Sequence, residues 1–180
     1  MDQKEQIMHY AIRRFNLEGI SFKLDDIAKD LKISKKTLYK HYSGKEAIFS
    51  AIIESVFNSI KVKENEVFHR SDLNDVEKLL AILEVYPDFE VFNYHHFADI
   101  KMVYPEQYLK IESHLENNWE QTIDLLEICI SKGYVKPIEK SLFKTIFLGI
   151  YKQLLLTDDP YPQEQMRACI EVVFNGLLNK

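Results

Sequence analysis

Apolar residues recur at intervals of three and four along almost the whole chain, and few segments alternate apolar and polar positions. This is the period of amphipathic helices rather than of strands. Gly and Pro, with five residues each in a chain of 180, are scarce and stand mostly between the repeating segments. The pattern therefore predicts an all-α protein with about nine helices.

Capping residues and helix breakers divide this pattern into segments. Ser43 and Glu46 together predict a capping box for the fourth helix, and Pro105 fits the first position of the longest one. The predicted helices span about 3–17, 24–31, 35–42, 44 to between 63 and 68, 72–85, 89–102, 105–132, 138–156 and 163–179. The run at 158–162 is predicted to be a loop.

The segment from Leu24 to Lys45 carries the strongest functional signal. Two short helical patterns flank a tight break, as in a helix-turn-helix, where one helix braces the other in the DNA major groove. Five lysines and no acid lie from Lys32 to Lys45, although the whole chain has a net charge of −5. This local excess indicates a polyanion site at one end of the protein. A solvated helix face is the alternative interpretation of the lysines alone.

The first turn of the second helix is the part of a recognition helix that meets base edges. Ser34 supplies an oxygen that can cap this helix. Lys35 and Lys36 can donate to guanine O6 and N7, and the methyl group of Thr37 can pack on a thymine methyl. We therefore expect these three residues to read bases.

The residues that follow are suited to the DNA backbone. Tyr39, Lys40 and His41 can reach sugar and phosphate oxygens, and Lys45 adds a charge at the start of the next helix, where backbone N–H groups also favour phosphate. For the tyrosine, packing in the core is the alternative, and we expect both roles, with the ring on the helix bundle and the hydroxyl on phosphate. For His41, the alternative is an ordinary surface position.

Residues from about Ile7 to Phe49 resemble the N-terminal domain of TetR-family transcriptional regulators. The matching pieces are Ala11 and Phe15, then Gly19, then the run Asp-Asp-Ile-Ala, then Ile-Ser-Lys-Lys-Thr-Leu-Tyr-Lys-His-Tyr, and finally Ser-Gly-Lys-Glu. The resemblance implies that DNA contacts come from Lys23, Lys35, Lys36, Thr37, Tyr39, Lys40, His41 and Lys45.

Two positions depart from the family pattern. Lys23 stands where the family often has a Thr or Ser that caps the second helix, and its side chain has no oxygen to do so. Lys32 stands where a turn glycine is common, and a positive φ at this position would cost about 1 kcal/mol. The first departure concerns the cap of the second helix, although the Lys23 ammonium can still reach phosphate, and the second concerns the geometry of the turn.

The resemblance also implies the organisation and activity of the whole chain. Residues 1–48 would form the DNA-binding domain, and residues 49–180 a helical domain for effector binding and dimerisation. The chain would be a sequence-specific transcriptional regulator in a bacterial cytoplasm, associated with the nucleoid. Its expected action is that of a ligand-responsive repressor binding a palindromic operator as a homodimer. The alternative is a DNA-binding or interaction module without a small-molecule effector.

The last two predicted helices are apolar around more than one face, so that each must bury two sides. The resemblance implies that one side joins a four-helix bundle with a second subunit. The residues expected at this dimer interface are Phe143, Phe147, Ile150, Leu154, Ile170, Val173, Phe174 and Leu177.

Eight aromatic residues lie between Tyr86 and Trp119. The resemblance implies that this region lines a pocket for a small apolar or aromatic effector. The candidate lining residues are Phe89, Phe92, His96, Phe97, Tyr108 and Trp119. An ordinary aromatic core is the alternative, because aromatic side chains dominate core burial in any case.

Other classes of function have little support in the sequence. His95 and His96 are adjacent and would point about 100° apart on a helix, which makes a poor metal chelate. Cys129 and Cys169 lie in apolar patterns without metal-ligand spacing and are expected to be buried thiols. We find no nucleophile–base pairing and no Gly-rich phosphate loop, so neither an enzyme nor a cofactor is expected. No apolar stretch is long enough to span a membrane, and no secretory signal is visible.

Overall fold

A computed structural model describes residues 2–85, 97–154 and 162–179. Within these ranges it contains ten α-helices and no strand, which confirms the all-α prediction. The helices are α1 (Gln3–Glu18), α2 (Leu24–Asp30), α3 (Lys35–His41), α4 (Lys45–Phe68), α5 (Asp75–Leu83), α6 (Phe97–Val103), α7 (Pro105–Glu116), α8 (Glu120–Ser131), α9 (Lys140–Leu154) and α10 (Pro162–Leu177). None of them is both long and apolar enough to cross a membrane.

The chain folds as two compact units. The first comprises Met1–Asn58 and Pro87–Ser113, and the second comprises Ser59–Tyr86 and His114–Lys180. The long helix α4 contributes to both. The predicted boundary near residue 48 counted only the DNA-binding motif, whereas the structural division falls ten residues later and adds α6 and most of α7 to the first unit.

The core of the first unit forms around α1 and the start of α4. Phe15 and Phe22 both meet the ring of Phe49 edge-on, with centroid separations of 5.3 and 5.9 Å. Ile7 and Leu38 are also buried, so that α3 is anchored to the core by one face. This packing leaves the opposite face of α3 in solvent.

The core of the second unit lies among α5, α8, α9 and α10. A backbone bridge between Val135 and Leu178 ties the segment after α8 to the end of α10. The buried core residues are Leu79, Ile82, Leu83, Leu125, Leu126, Cys129, Val135, Phe143, Phe147, Leu154, Met166, Ile170 and Phe174.

This core takes up much of the apolar surface predicted for the dimer interface, which stays a prediction. Five of the eight residues expected there are buried by their own chain and have little or no exposed area left to bury against a second subunit. They are Phe143, Phe147, Leu154, Ile170 and Phe174. The other three, Ile150, Val173 and Leu177, are partly buried against the same core. The prediction for the thiols is half wrong, because Cys129 is buried but Cys169 is exposed.

The predicted helix over 105–132 is interrupted. It begins at Pro105 as predicted, but α7 ends at Glu116 and α8 starts at Glu120. Asn118 lies in the break with φ of 69°, a left-handed conformation that Asn adopts more readily than most residues. The break accounts for the tenth helix.

Two other helix starts differ from prediction because different residues cap them. Helix α5 begins at Asp75, three residues late, since Asn74 and Glu77 form a reciprocal capping box. In α4 the Ile48 N–H donates to the carbonyl of Gly44, so that Gly44 rather than Ser43 precedes the first turn. Only the end of the predicted helix over 89–102 falls within the described residues, as α6.

Candidate nucleic-acid interface

The break between α2 and α3 is a Schellman turn closed by a lysine. The Ile33 N–H donates to the Ala28 carbonyl and the Lys32 N–H to the Lys29 carbonyl, both at 3.0 Å. Lys32 has φ of 53°. The left-handed turn is therefore kept at this position although glycine is absent, and the lysine backbone carries the strain.

A small core beneath this turn fixes the direction of α3. Ile27 and Ala28 of α2 are buried, as are Leu38 and Tyr42 at the other side of the turn. The Ser34 side chain accepts a hydrogen bond from the Thr37 N–H at 3.0 Å, which confirms that Ser34 caps α3. Because α3 is capped and packed, its outer side chains are presented on a rigid element.

The outer face of α3 carries three side chains aimed at solvent. Tyr39 is 50% exposed, and Lys36 and Lys40 are exposed as well. Within the described ranges, none of the three has a hydrogen-bond or ion-pair partner. Their donors are therefore available to an incoming polyanion. The exposure of Tyr39 also argues against the alternative that its ring packs in the core.

Three other predicted DNA contacts are already engaged within the protein. The Lys35 ammonium donates to a carboxylate oxygen of Asp25 at 2.6 Å, and this bond raises the lysine pKa. The Thr37 hydroxyl lies 2.8 Å from that of Ser34. A ring nitrogen of His41 lies 3.1 Å from the side-chain oxygen of Gln3.

Lys45 points into the protein rather than outward. Its ammonium donates to the Ile20 carbonyl at 2.7 Å and lies 4.6 Å from the centre of the Phe22 ring. Partial burial lowers its pKa. The side chain thus ties the start of α4 to the turn after α1, a role that its position in the sequence did not reveal.

Lys23 precedes α2 and is exposed, and its side chain makes no capping bond, as the sequence predicts. Two acidic residues, Asp25 and Asp26, instead occupy the first turn of α2, where the helix dipole favours negative charge. Asp25, the partner of Lys35, was not predicted from the sequence as part of this interface. The signal available in the sequence was an acidic residue before the turn and a basic residue after it.

The comparison with known proteins agrees with this geometry. A family model described as bacterial regulatory proteins of the tetR family matches residues 7–52, the segment that holds the turn and its supporting core. The chain belongs to the TetR family. It is a DNA-binding transcriptional regulator.

One relative of this TetR-family chain matches it over nearly its whole length, and another matches about a third of it. An uncharacterised HTH-type regulator of Bacillus subtilis, YvaF, is 26% identical over 96% of this chain and 94% of its own length. The negative transcriptional regulator IcaR of the biofilm operon icaADBC in Staphylococcus epidermidis is 41% identical over 31% of this chain and 30% of its own.

Solved structures share the fold of this TetR-family chain over its full length. The regulator PfmR of Thermus thermophilus superposes with a TM-score of 0.72 at 20% identity and covers 99% of this chain and 100% of its own. The ketosteroid regulator KstR2 of Mycobacterium tuberculosis gives 0.69 at 17% identity, over 99% and 96%. At these identities the likeness concerns the fold alone.

The candidate effector residues of this TetR-family chain are only partly described. Phe89, Phe92 and His96 lie outside the described residues, and Phe97 begins α6. Tyr108 is partly buried on α7, with the Lys101 ammonium 4.8 Å from its ring centre. Trp119 belongs to the other unit.

Trp119 has a clear structural role at the break between α7 and α8. Its indole N–H donates to the Leu115 carbonyl at 2.9 Å, and its ring lies 6.0 Å from that of Tyr151. The Tyr151 hydroxyl in turn donates to the Leu83 carbonyl at 2.8 Å. Trp119 therefore has this packing role, and its assignment to an effector site stays a prediction.

Proposed function

We propose that this chain is a ligand-responsive repressor that binds a palindromic operator as a homodimer. The observation that carries the proposal is the rigid α3 with Lys36, Tyr39 and Lys40 aimed at solvent. Two such DNA-binding domains, called heads below, can meet successive major grooves roughly 34 Å apart when they belong to a symmetric dimer. The 41% identity to a negative regulator over 31% of the chain supports repression as the direction of control.

The side chains divide into two proposed roles. Lys36 in the first turn of α3 reads a base edge, with Lys35 beside it, since this turn is the part of a recognition helix that enters the groove. Tyr39 and Lys40 bind backbone phosphate, and Lys23 reaches the same strand from the start of α2. Lys45 holds the start of α4 in place. The N–H groups of its ammonium that do not bond to the protein are proposed to donate to a DNA phosphate.

The dimer is proposed to form through the outer faces of α9 and α10. Leu142 is 51% exposed and Val172 is 75% exposed. Gly149 and Gly176 open to empty space, where an added Cβ would meet nothing. Apolar and small side chains together make a smooth surface on which a second copy can pack closely.

Val172→Glu tests this interface. A glutamate at this position would place two charges in the closed dimer, so we expect the variant to be monomeric in light scattering where the unmodified chain is dimeric. A dimeric Val172→Glu would contradict the proposed face.

The two cysteines supply an independent measurement on the same variant. Cys169 lies on α10 and is exposed, whereas burial raises the pKa of Cys129 to about 11. A thiol reagent should label Cys169 faster in the Val172→Glu variant than in the dimer, and Cys129 should stay unreactive in both. Equal labelling of Cys169 in the two proteins would place α10 outside the interface.

Effector control is proposed to act through α7 and α4. In the first unit the Tyr104 ring lies 5.1 Å from that of Phe49, and the Lys110 ammonium donates to the Ser50 hydroxyl at 2.6 Å. These contacts support a route by which a displacement of α7 reaches the start of α4 and the head. A small apolar or aromatic compound is the proposed effector, and it acts by favouring a dimer geometry that fits the operator poorly.

A gel-shift titration on DNA from upstream of the gene itself tests the regulator. We expect a complex with one fragment at concentrations that leave random DNA of equal length unbound. Equal affinity for all fragments, falling together as salt rises, would instead support a purely electrostatic or interaction module. Binding that no apolar compound weakens would favour a regulator without a small-molecule effector.

A further inference from the structure

Glu64 is a partly buried carboxyl group for which the described residues supply no partner. It lies near the end of α4, and burial raises its pKa from 4.5 to about 7. Among the described residues it makes no hydrogen bond and no ion pair, and Lys61, one turn earlier on α4, is exposed and acts on it only through its charge. Removing an acid from water without giving it a partner lowers stability, and such groups concentrate at functional sites.

Two aromatic rings lie on the same side of the second unit. The Gln121 side-chain amide donates to the side-chain oxygen of Asn65 at 3.1 Å, which holds this end of α4 against the first turn of α8. Trp119 directly precedes that turn, and its ring lies 6.0 Å from the ring of Tyr151. The charge of Glu64 acts on the Tyr151 hydroxyl as well. A carboxylate and the faces of aromatic rings both attract a positive charge.

The chemistry around Glu64 favours an organic cation over an anion or a metal ion. Glu120 at the start of α8 is a second acid, and its charge raises the pKa of Glu64 further. No group of three His, Cys, Asp or Glu side chains that could hold a metal ion occurs in the part of the chain that the structure describes. An alkylated ammonium group spreads its charge over a weakly hydrated surface, so that it is well suited to aromatic surroundings.

We propose that Glu64, Trp119 and Tyr151 bind an organic cation in which an alkylated ammonium group is attached to an apolar body. This inference rests on the proposed effector control, and it narrows the effector from apolar compounds in general to those that carry a positive charge. The cation supplies the partner that the carboxylate lacks, and the rings contact its alkyl groups. A neutral compound of the same shape gains only the second of these contacts.

The chain contains a single tryptophan, so that the fluorescence of Trp119 reports binding at the site itself. Phenyltrimethylammonium is the probe, and tert-butylbenzene, which has carbon in place of the charged nitrogen, is its neutral control. At about pH 8 we expect the cation to bind about ten-fold more tightly than tert-butylbenzene. A cation that binds no more tightly than its neutral control, or that does not bind, overturns the inference.

Two variants on α4 identify the group that selects for charge. Glu64→Gln should reduce the preference for the cation to less than about two-fold, because the amide keeps the shape of the side chain without its charge. Glu66→Gln removes the same charge from an exposed position two residues away and should keep the preference. Equal preferences in the two variants would mean that Glu64 is not the binding group and would overturn the inference.

The pH dependence supplies a second readout, because phenyltrimethylammonium has no proton to gain or lose. With a pKa of about 7, the ionised fraction of Glu64 rises about ten-fold between about pH 6 and about pH 8, and the affinity should rise with it. Glu64→Gln should bind with an affinity that does not change over this range. The variant keeps Lys61, Glu120 and Tyr151, the other titratable groups that act on Glu64 among the described residues. The same pH dependence in both proteins overturns the inference.

A gel shift on DNA from upstream of the gene separates this inference from effector control. We expect phenyltrimethylammonium chloride to weaken the complex more than an equal concentration of sodium chloride does, and to lose this effect in Glu64→Gln. If the cation binds with the expected preference and pH dependence but leaves the complex unchanged, the cation site stands and effector control through it fails. If only neutral aromatic compounds release the DNA and the cation does not bind, effector control stands and the cation site fails.

Discussion

Replacing Lys32 by glycine should make the protein more stable, although it removes a side chain and adds chain entropy. Lys32 has φ of 53° in the turn between α2 and α3. A residue with a Cβ pays about 1–2 kcal/mol in this conformation, and glycine does not. Glycine also makes the unfolded chain more flexible, which costs about 0.4–1 kcal/mol. The difference predicts a gain of about 0.5–1 kcal/mol.

The chain contains its own reference for this estimate. Helix α8 ends in the same pair of hydrogen bonds, with Gly133 at φ of 73° in the place of Lys32. Gly133→Ala should therefore destabilise by a similar amount, since it introduces the strain that Lys32→Gly removes. An added Cβ at Gly133 meets no neighbour, so that the loss measures the backbone alone.

Urea unfolding followed by far-UV circular dichroism measures the effect, because it reports helix in both units. Lys32→Ala is the control, since it removes the lysine side chain and keeps the strain. The reasoning is refuted if Lys32→Gly is no more stable than Lys32→Ala. It is also refuted if Gly133→Ala is as stable as the unmodified protein.

Three further outcomes follow from the site and the core. Glu64 is partly buried, and burial raises its pKa from 4.5 to about 7. Because the folded state holds this proton more tightly, stability falls as the pH rises from 4.5 to about 7. Glu64→Gln should therefore add about 1–2 kcal/mol at about pH 8 after allowance for partial exposure, and exposed Glu66→Gln should add nothing, as thermal melts would reveal. Lys45→Met keeps the packing on the Phe22 ring but loses the charge. A salt dependence of DNA binding that becomes shallower by about one unit would establish a phosphate contact. An unchanged salt dependence with lower stability would assign Lys45 to the fold alone. Phe143→Ala should cost about 3–5 kcal/mol of protomer stability in urea unfolding. Leu142→Ala should leave protomer stability nearly unchanged but weaken dimerisation, which light scattering measures.

The helix-turn-helix could be predicted in detail because its signals are local. Ser34 caps α3, as its side chain predicts. The left-handed turn at Lys32 was less predictable, since backbone hydrogen bonds hold it although the residue is not glycine. The head domain is also where a family resemblance concentrates. Local side-chain chemistry and the family resemblance therefore predicted the same helix-turn-helix.

The errors arose where a local pattern has two solutions. The apolar repeat from 105 to 132 fits one long helix, but Asn118 turns the backbone into a left-handed conformation and ends the first part. In α9 and α10 the repeat shows that two faces are apolar without telling which one the chain covers itself. Phe143 and Phe147 pack inside, and Leu142 faces out.

The partners of long charged side chains could not be read from the sequence. Lys35 and Asp25 are ten residues apart, and Lys45 and Ile20 twenty-five. Whether a lysine meets DNA or its own chain depends on the tertiary arrangement of both ends. The sequence therefore predicted the basic surface correctly as a whole but not the state of each lysine.

The central claim is that α3 of this chain reads base sequence through Lys36. Selection of binding sites from a random duplex pool, performed with the unmodified protein and with Lys36→Ala, tests it most directly. We predict an inverted repeat with half-sites about one helical turn apart, and a changed preference at one position of each half-site in the variant. A pool that enriches no sequence, or a variant that selects the same sequence with uniformly weaker binding, would contradict the claim.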